Sequence, residues 1–244
     1  MTLPTKCNYG HVFGRLSTNG NYEICCGSTP PSGNYHTDGK FIEYWKSAKL
    51  KNLLYDLKHD LSNMNETWAD GNCDYCPHFY INEKISDGDI KIPKSPWIYN
   101  IDVINICDHR CNFCWNWSHE MISDNAQFDG WNDWIKERID FKIFTDTIDG
   151  LVELGDCEEI QIGGGGEPLL HQDIQEMIKY VKDNNLSCKL ITNFCQISED
   201  SLDEMINIGL DYILVNVSAG TQENYCKTRR VKPNTWYKVI NNIN

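Results

Sequence analysis

The chain has 244 residues, 12 cysteines and a net charge of −13 at pH 7. This length allows one large domain or two smaller ones, each with its own apolar core. Its 22 Lys and Arg residues are outnumbered by 35 Asp and Glu residues, and they are scattered along the sequence. We therefore expect neither a basic face that contacts phosphates nor a nucleic-acid partner.

Neither a membrane segment nor a disulfide framework is expected. The N-terminal residues lack an apolar h-region, and no window reaches the roughly 18 apolar residues of a membrane span. We therefore expect a cytoplasmic protein with no membrane partner. Twelve cysteines in 244 residues amount to about 5%, below the roughly 8–10% of short secreted disulfide scaffolds. The cysteines also cluster at ligand spacings, which favours metal binding.

Three cysteines, Cys107, Cys111 and Cys114, follow the apolar segment 97–106, and the aromatic Phe113 precedes the third. A Cys-x3-Cys-x2-Cys triplet supplies three thiolates, whereas structural zinc and most iron–sulfur clusters take four protein ligands. The pattern resembles the cluster motif of the radical SAM superfamily. Half of a zinc site or a chance cluster of cysteines is the alternative interpretation.

The resemblance implies that the three thiolates hold a 4Fe–4S cluster, whose fourth iron binds the amino and carboxylate groups of S-adenosylmethionine (SAM). In that family, an electron from a reductant such as flavodoxin or ferredoxin drives SAM cleavage to a 5′-deoxyadenosyl radical. The radical then abstracts hydrogen from a substrate. The cofactor carries the difficult chemistry, and the protein positions it.

Residues 1–90 contain a second cysteine pattern: Cys7, a Gly-x4-Cys segment ending at Cys25, a Trp-Lys-Ser helix at Trp45, and Cys73-x2-Cys76. This order resembles the first part of a SPASM or twitch domain, although here it precedes the triplet. The resemblance implies an auxiliary 4Fe–4S cluster on Cys7, Cys25, Cys73 and Cys76. The adjacent Cys26 could replace Cys25, and a zinc knuckle on four cysteines remains the alternative.

After residue 96 the sequence predicts alternating strands and helices. Two prolines in segment 91–96 indicate a linker, so we expect one domain at 1–90 and another at 97–244. The first strand of the second domain should end at the Cys triplet. Further strands are expected at Glu159–Ile162, Lys189–Thr192 and Tyr212–Val217, and helices from Phe141 toward Gly155, at Ile174–Val181, at Ser198–Ile208 and at Thr235–Ile243.

Repeated β-α units imply a parallel sheet with functional residues at the carboxyl ends of its strands. We therefore expect an α/β protein with a partial (β/α) radical SAM barrel, preceded by a small Cys-rich α+β domain of SPASM or twitch type. About four β-α units are present. This is fewer than the family's usual number, so we expect the core to be incomplete at its C-terminus.

Several residues near the expected strand ends match family elements that bind SAM. The glycine run ending in Glu167-Pro168 resembles the Gly-Gly-Glu-Pro element, because glycine admits close backbone approach and a carboxylate can accept from the SAM ammonium. The first two glycines, Gly163 and Gly164, could be turn residues. The resemblance implies these SAM contacts: Phe113, Gly165, Gly166, Glu167, Asn193, Ser218 and Arg230.

Two of these contacts have open alternatives. Asn193 could serve as a turn or cap residue, and Phe194 occupies the family's glycine position after it. Arg229 could replace Arg230 as the partner of the SAM carboxylate, a pairing that suits guanidinium.

Two other function classes stay open: a zinc-binding interaction module, and a cluster-containing recognition protein that no longer cleaves SAM. The substrate is a peptide or a small molecule, with a peptide as the leading hypothesis.

Overall fold

The computed structural model describes residues 7–25, 31–59, 79–86, 91–114, 116–120 and 130–244. The chain divides into two compact units. The first unit comprises Met1–Ile101 and Asp140–Ile160, and the second comprises Asp102–Ile139 and Gln161–Asn244.

The first unit contains a mixed sheet. Strand β1 (Phe13–Leu16) pairs antiparallel with β2 (Asn21–Glu23), which pairs antiparallel with β3 (Gly33–Asn34). On its other side β1 pairs in parallel with β4 (Ile98–Ile101). The first half of β5 (Glu159–Ile162) completes the strand order β3-β2-β1-β4-β5.

The grouping of residues differs from the division at 91–96 that the sequence indicates. The reason is the pairing of β1 with β4, which lie on opposite sides of that segment. The segment itself is also tied down, since Trp45 Nε1 donates to the carbonyl oxygen of Lys94 at 2.7 Å and Ser95 Oγ donates to that of Gly155.

Helices cover the sheet of the first unit. They are Tyr35–Asp38 (α1), Phe41–Lys46 (α2), Ala48–His59 (α3), Phe79–Ser86 (α4) and Phe141–Leu154 (α6). Helix α5 belongs to the second unit. Helix α6 begins after the side-chain cap of Asp140 and ends at Gly155, the stop expected from the sequence. The core is rich in aromatic side chains, and Tyr22, Phe41, Tyr44 and Tyr99 are almost fully buried.

The second unit contains the end of β5, β6 (Ser187–Thr192) and β7 (Tyr212–Val215), in that order. Strands β6 and β7 are parallel, with Thr192 opposite Val215. The helices are Trp131–Trp134 (α5), Ile174–Asp183 (α7), Glu199–Ile208 (α8), Gln222–Arg229 (α9) and Pro233–Ile243 (α10). The alternation of parallel strands with helices confirms the α/β class for this part of the chain.

Two local features differ from the expectation. The strand expected to reach the Cys triplet ends at Ile101, and the β pairing described for the following segment is an isolated bridge between Ile104 and Arg138. Helix α9 is absent from the sequence interpretation because it lacks a clear apolar stripe, and its buried residues are Tyr225 and Arg229. In the part of the chain that the structure describes, no helix combines the length and apolar character needed to cross a bilayer.

Candidate functional site

The Cys triplet, the glycine run after β5 and the carboxyl end of β6 border one cavity of about 140 Å³ in the second unit. The cavity brings together most of the residues expected from the sequence. Its lining includes Cys107, Cys111, Phe113, Cys114, Gly165, Gly166, Glu167, Asn193 and Arg229.

A larger open depression of about 590 Å³ lies against helices α7 and α8. It is bordered mainly by acidic side chains, namely Asp183, Asp200, Asp203 and Glu204, together with Lys179. Such a surface is typical of a solvated helix face. The smaller cavity carries thiols, a buried carboxylate and a buried guanidinium, so it is the candidate site.

The loop that carries the three thiols is held by Arg110. Its Nη1 donates to the carbonyl oxygens of Cys107 and His109, each at 2.7 Å. Its guanidinium also lies 4.0 Å from the ring centre of Trp117, a cation–π contact. Trp117 Nε1 in turn donates to the carbonyl oxygen of Asn105 at 3.0 Å. These contacts define the path of the loop around the cavity.

Burial favours the protonated thiol form of Cys107 and Cys111. It raises the pKa of Cys107 to about 12. Burial also raises the pKa of Cys111, although the nearby Arg229 opposes the shift. A metal that binds here must displace protons from the thiols, as metal–thiolate bonds require.

The described residues contain no group of three or more His, Cys, Asp or Glu side chains arranged to ligate a single ion. Cys107, Cys111 and Cys114 nevertheless line the same cavity. In an iron–sulfur cluster each thiolate binds a different iron, so the three sulfurs need not meet at one point.

The glycine run lies directly against segment 102–106. A Cβ atom added at Gly166 would lie 2.1 Å from the carbonyl oxygen of Ile106, and one at Gly165 would lie 2.2 Å from Asn105 Oδ1. At Gly164, where φ is +100°, the added atom would lie 1.6 Å from Asp102 Oδ1. Gly164 also lines the cavity. The run therefore needs glycine for close packing as well as for turning.

Glu167 is the buried carboxylate of the site, with 2% of its surface exposed. It accepts hydrogen bonds from Thr192 Oγ1 at 2.5 Å, from the backbone N–H of Asn193 at 2.7 Å and from that of Leu169 at 3.0 Å. Burial raises the pKa of Glu167, and these three bonds work against that shift. The carboxylate thus ties the glycine loop to the end of β6.

Asn193 follows β6, lines the cavity and has the turn role that the sequence leaves open for it. Its Oδ1 accepts from the backbone N–H of Cys195 at 2.8 Å, which is a turn contact, while its Nδ2 donates to Asp108 Oδ1 at 2.8 Å. Phe194 has a φ of 61° and is buried. Glycine, the residue of the family element at this position, adopts such a left-handed backbone more readily than phenylalanine. Phe194 is not part of the cavity lining.

Asp108 and His109, in the loop that carries the three thiols (the cluster loop), belong to a polar network that the sequence did not predict. Asp108 accepts from Gln196 Nε2 at 2.6 Å and pairs with His109 Nδ1 at 2.8 Å, and His109 Nε2 lies 3.3 Å from the Tyr225 hydroxyl. Burial acts to raise the pKa of Asp108, but the hydrogen bonds from His109, Gln196 and Asn193 outweigh it and lower the pKa. Only the tertiary fold brings these partners together.

The arginine in the cavity wall is Arg229, whereas Arg230 is exposed. Arg230 adopts a left-handed backbone conformation, with a φ of 55°, and this turn ends helix α9 directly after Arg229. Ser218 is also exposed and does not line the cavity, but its Oγ accepts from Arg229 Nη2 at 2.9 Å. The geometry therefore favours Arg229 over Arg230 at this site.

Phe113 lines the cavity and remains 53% exposed. Its ring centre lies 5.6 Å from the Arg229 guanidinium carbon. Phe113 is thus available to contact a bound molecule.

The N-terminal cysteines are described in part. Cys7 and Cys25 are half-buried in the first unit, and both pack against the apolar cluster of Tyr9, Val12 and Ile85. The structure therefore brings these two expected ligands to the same region of the first unit. Cys26, Cys73 and Cys76 lie outside the described residues.

Comparison with protein-family models matches residues 101–244 to the model described as the Radical SAM superfamily. Among curated proteins, 115 residues are 22% identical to the tungsten-containing aldehyde ferredoxin oxidoreductase cofactor-modifying protein of Pyrococcus furiosus, over 46% of this chain and 28% of that protein. A stretch of 91 residues is 33% identical to an uncharacterised protein of Methanocaldococcus jannaschii, over 37% of this chain and 31% of that protein. The matched segments thus span less than a third of each curated relative.

Among solved structures, Streptococcus suis SuiB is similar with a TM-score of 0.45 and 17% identity, over 78% of this chain and 38% of that chain. SuiB bound to S-adenosylmethionine gives a TM-score of 0.44 and 13% identity, over 97% of this chain and 53% of that one. BtrN in an open conformation gives 0.40 and 16%, over 53% of each chain.

Proposed function

The chain belongs to the radical SAM superfamily, whose model spans residues 101–244, and from this premise we propose that it is a radical SAM enzyme. Cys107, Cys111 and Cys114 would hold a 4Fe–4S cluster, with SAM beside it. Bound there, the cluster and SAM would supply a 5′-deoxyadenosyl radical that abstracts hydrogen from a substrate. The observation that carries this proposal is the single cavity lined by all three thiols, the glycine run and Glu167.

The residues around the cavity fit the proposed groups. Three thiols without a fourth suit a cluster that leaves one iron open to a second ligand. The glycine run packs directly against segment 102–106 and carries no side chain, so its backbone forms part of the cavity wall. Buried Arg229 Nε has no hydrogen-bond partner among the described residues, so an acceptor on a bound molecule would satisfy it.

The polar residues of the cavity would each contribute to SAM binding. Glu167 would accept a hydrogen bond from the SAM ammonium, since its Oε2 takes one described donor, the N–H of Asn193, and an oxygen can take two. Arg229, in place of Arg230, would pair with the SAM carboxylate. Phe113, Gly165, Gly166 and Asn193 would shape the pocket, and Ser218 would act through Arg229 by accepting its N–H.

The cluster assignment is tested by replacing Cys107, Cys111 and Cys114 with alanine together. Iron and acid-labile sulfide are measured after anaerobic reconstitution, and the triple variant should hold about four irons fewer than the wild-type chain. A matched control replaces Cys157 and Cys226, which lie outside the cavity lining, and should keep the iron. Unchanged iron content in the triple variant would refute the assignment.

We also propose that Cys7, Cys25, Cys73 and Cys76 hold an auxiliary 4Fe–4S cluster in a SPASM- or twitch-like region. The packing of Cys7 and Cys25 against one apolar cluster supports this. In the triple variant, about four irons and as much sulfide should then remain, and further replacement of Cys73 and Cys76 should remove them. A single zinc ion without sulfide would favour the zinc-knuckle alternative.

Substrate, reductant and location follow from the family assignment and stay proposals. A peptide is the leading substrate class, because SPASM and twitch relatives often modify peptides, and a small molecule is the alternative. Flavodoxin or ferredoxin would supply the electron, and the protein would act in the cytoplasm. The competing functions are a zinc-binding module and a cluster-containing recognition protein that leaves SAM intact.

A further inference from the structure

The guanidinium of Arg229 contacts a proposed cluster ligand directly. Its Nη1 donates to the Sγ atom of Cys111 at 3.7 Å, and only 3% of the arginine's surface is exposed to solvent. Its Nη2 donates to Asn216 Oδ1 at 2.7 Å and to Ser218 Oγ at 2.9 Å. Burying a cation costs free energy unless hydrogen bonds replace the lost water. The bonds to Asn216 and Ser218 provide that compensation and fix the guanidinium beside the thiol of Cys111.

The backbone holds Arg229 in this place. The N–H of Asn112 donates to the carbonyl oxygen of Thr228 at 2.9 Å, and the N–H of Arg110 donates to that of Arg229 at 3.3 Å. The last turn of α9 is therefore bonded to the loop that carries Cys111. The ring of Tyr225, whose centre lies 5.5 Å from the guanidinium carbon, restricts the side chain further.

The surrounding charges oppose the addition of an electron at this position. The carboxyl end of α9, with its partial negative charge, faces the cluster loop through these two bonds. Glu167, a buried carboxylate, lines the same cavity. Among the lining residues that the structure describes, Arg229 is the one Lys or Arg.

We propose that Arg229 raises the reduction potential of the cluster by donating to the sulfur of Cys111 and by placing a fixed positive charge beside it. The inference rests on the proposed cluster at Cys107, Cys111 and Cys114. One-electron reduction adds a negative charge to the cluster, and both a cation and an N–H···S bond stabilise that charge. Arg229 is thus a positioning and tuning residue as well as a proposed partner of SAM.

The test compares the midpoint of cluster reduction in the wild-type chain with Arg229→Gln, Arg229→Lys and Lys227→Gln. The signal of the reduced cluster in electron paramagnetic resonance is assigned by its change on SAM addition, and the titration is then run without SAM. Lys227 is exposed on the same helix, so Lys227→Gln removes one charge without touching the cavity.

At the potential where half of the wild-type cluster is reduced, Arg229→Gln should lower the ratio of reduced to oxidised cluster by about tenfold or more. Arg229→Lys keeps the positive charge but loses the planar guanidinium, so its ratio of reduced to oxidised cluster should lie between the wild-type ratio and that of Arg229→Gln. Lys227→Gln should match the wild-type chain.

An unchanged midpoint in an Arg229 variant that retains wild-type iron and sulfide would overturn the inference. Should Arg229→Gln lose the cluster, the midpoint of Arg229→Lys decides in the same way. The inference would also be overturned if Lys227→Gln lowered the midpoint as much as Arg229→Gln does. The loss of any one positive charge on the protein would then explain the shift. Absence of any SAM-responsive signal in the wild-type chain would instead refute the proposed function.

Discussion

The close packing of the glycine run predicts a sharp effect of the substitution Gly166→Ala. The added Cβ would lie 2.1 Å from the carbonyl oxygen of Ile106, 2.6 Å from the carbonyl carbon of Asn105 and 2.7 Å from the carbonyl oxygen of Asn105. These are backbone atoms, so a side-chain rotation cannot relieve the contact. The segment that leads into Cys107 must move instead.

Overpacking of this kind typically costs about 1–3 kcal/mol of unfolding free energy. Since roughly 1 kcal/mol corresponds to about 2–4 °C in chains of 150–250 residues, the midpoint of thermal unfolding should fall by several degrees. Because the displaced segment carries the first triplet cysteine, iron retained after reconstitution should fall as well.

Circular dichroism follows the unfolding, and iron analysis follows the cluster. Gly220→Ala is the matched control, because a Cβ there meets no atom within 4 Å, and its unfolding free energy should stay within about ±0.5 kcal/mol of the wild-type value. If Gly166→Ala equals Gly220→Ala in both midpoint and iron content, the close-packing argument is wrong.

Two further predictions concern carboxylates. Glu167→Gln removes the charge that would accept from the SAM ammonium, so calorimetry should show SAM affinity reduced by roughly ten- to a hundredfold with iron retained; retained affinity with lost iron would mean a purely structural role. At Asp146, burial acts to raise the pKa, but hydrogen bonds from Lys142, Tyr35 and Lys40 outweigh it and lower the pKa from 3.8 to about 2. Because the folded pKa is depressed, the stabilisation is complete above pH 3.8 and disappears as the pH falls toward about 2. The difference in thermal midpoint between the metal-free wild-type chain and Asp146→Asn should therefore shrink below pH 4, and a pH-independent difference would contradict this origin.

The local motifs of the site could be predicted from the sequence because each is contiguous. The triplet, the glycine run and Glu167 lie in short stretches, and the cavity is lined by the three cysteines, three of the four glycines and Glu167. The helices bounded by strong signals were also predictable, such as α6 with Asp140 before it and Gly155 after it.

The remaining features depend on contacts between distant residues. The pairing of β1 with β4 joins segments about 85 positions apart, for example Phe13 with Ile98, and no local pattern specifies it. The choice between Arg229 and Arg230 depends on where α9 ends, and polar α9 has a weak sequence signal. The contact between His109 and Tyr225 requires α9 to lie on the cluster loop.

Reductive cleavage of SAM is the most direct test of the central claim. The wild-type chain and the variant lacking Cys107, Cys111 and Cys114 are reconstituted anaerobically and incubated with SAM and dithionite, and 5′-deoxyadenosine is quantified by liquid chromatography. The account predicts 5′-deoxyadenosine from the wild-type chain and none from the variant. A wild-type chain that holds about four irons on the triplet but forms no more 5′-deoxyadenosine than the variant would contradict it.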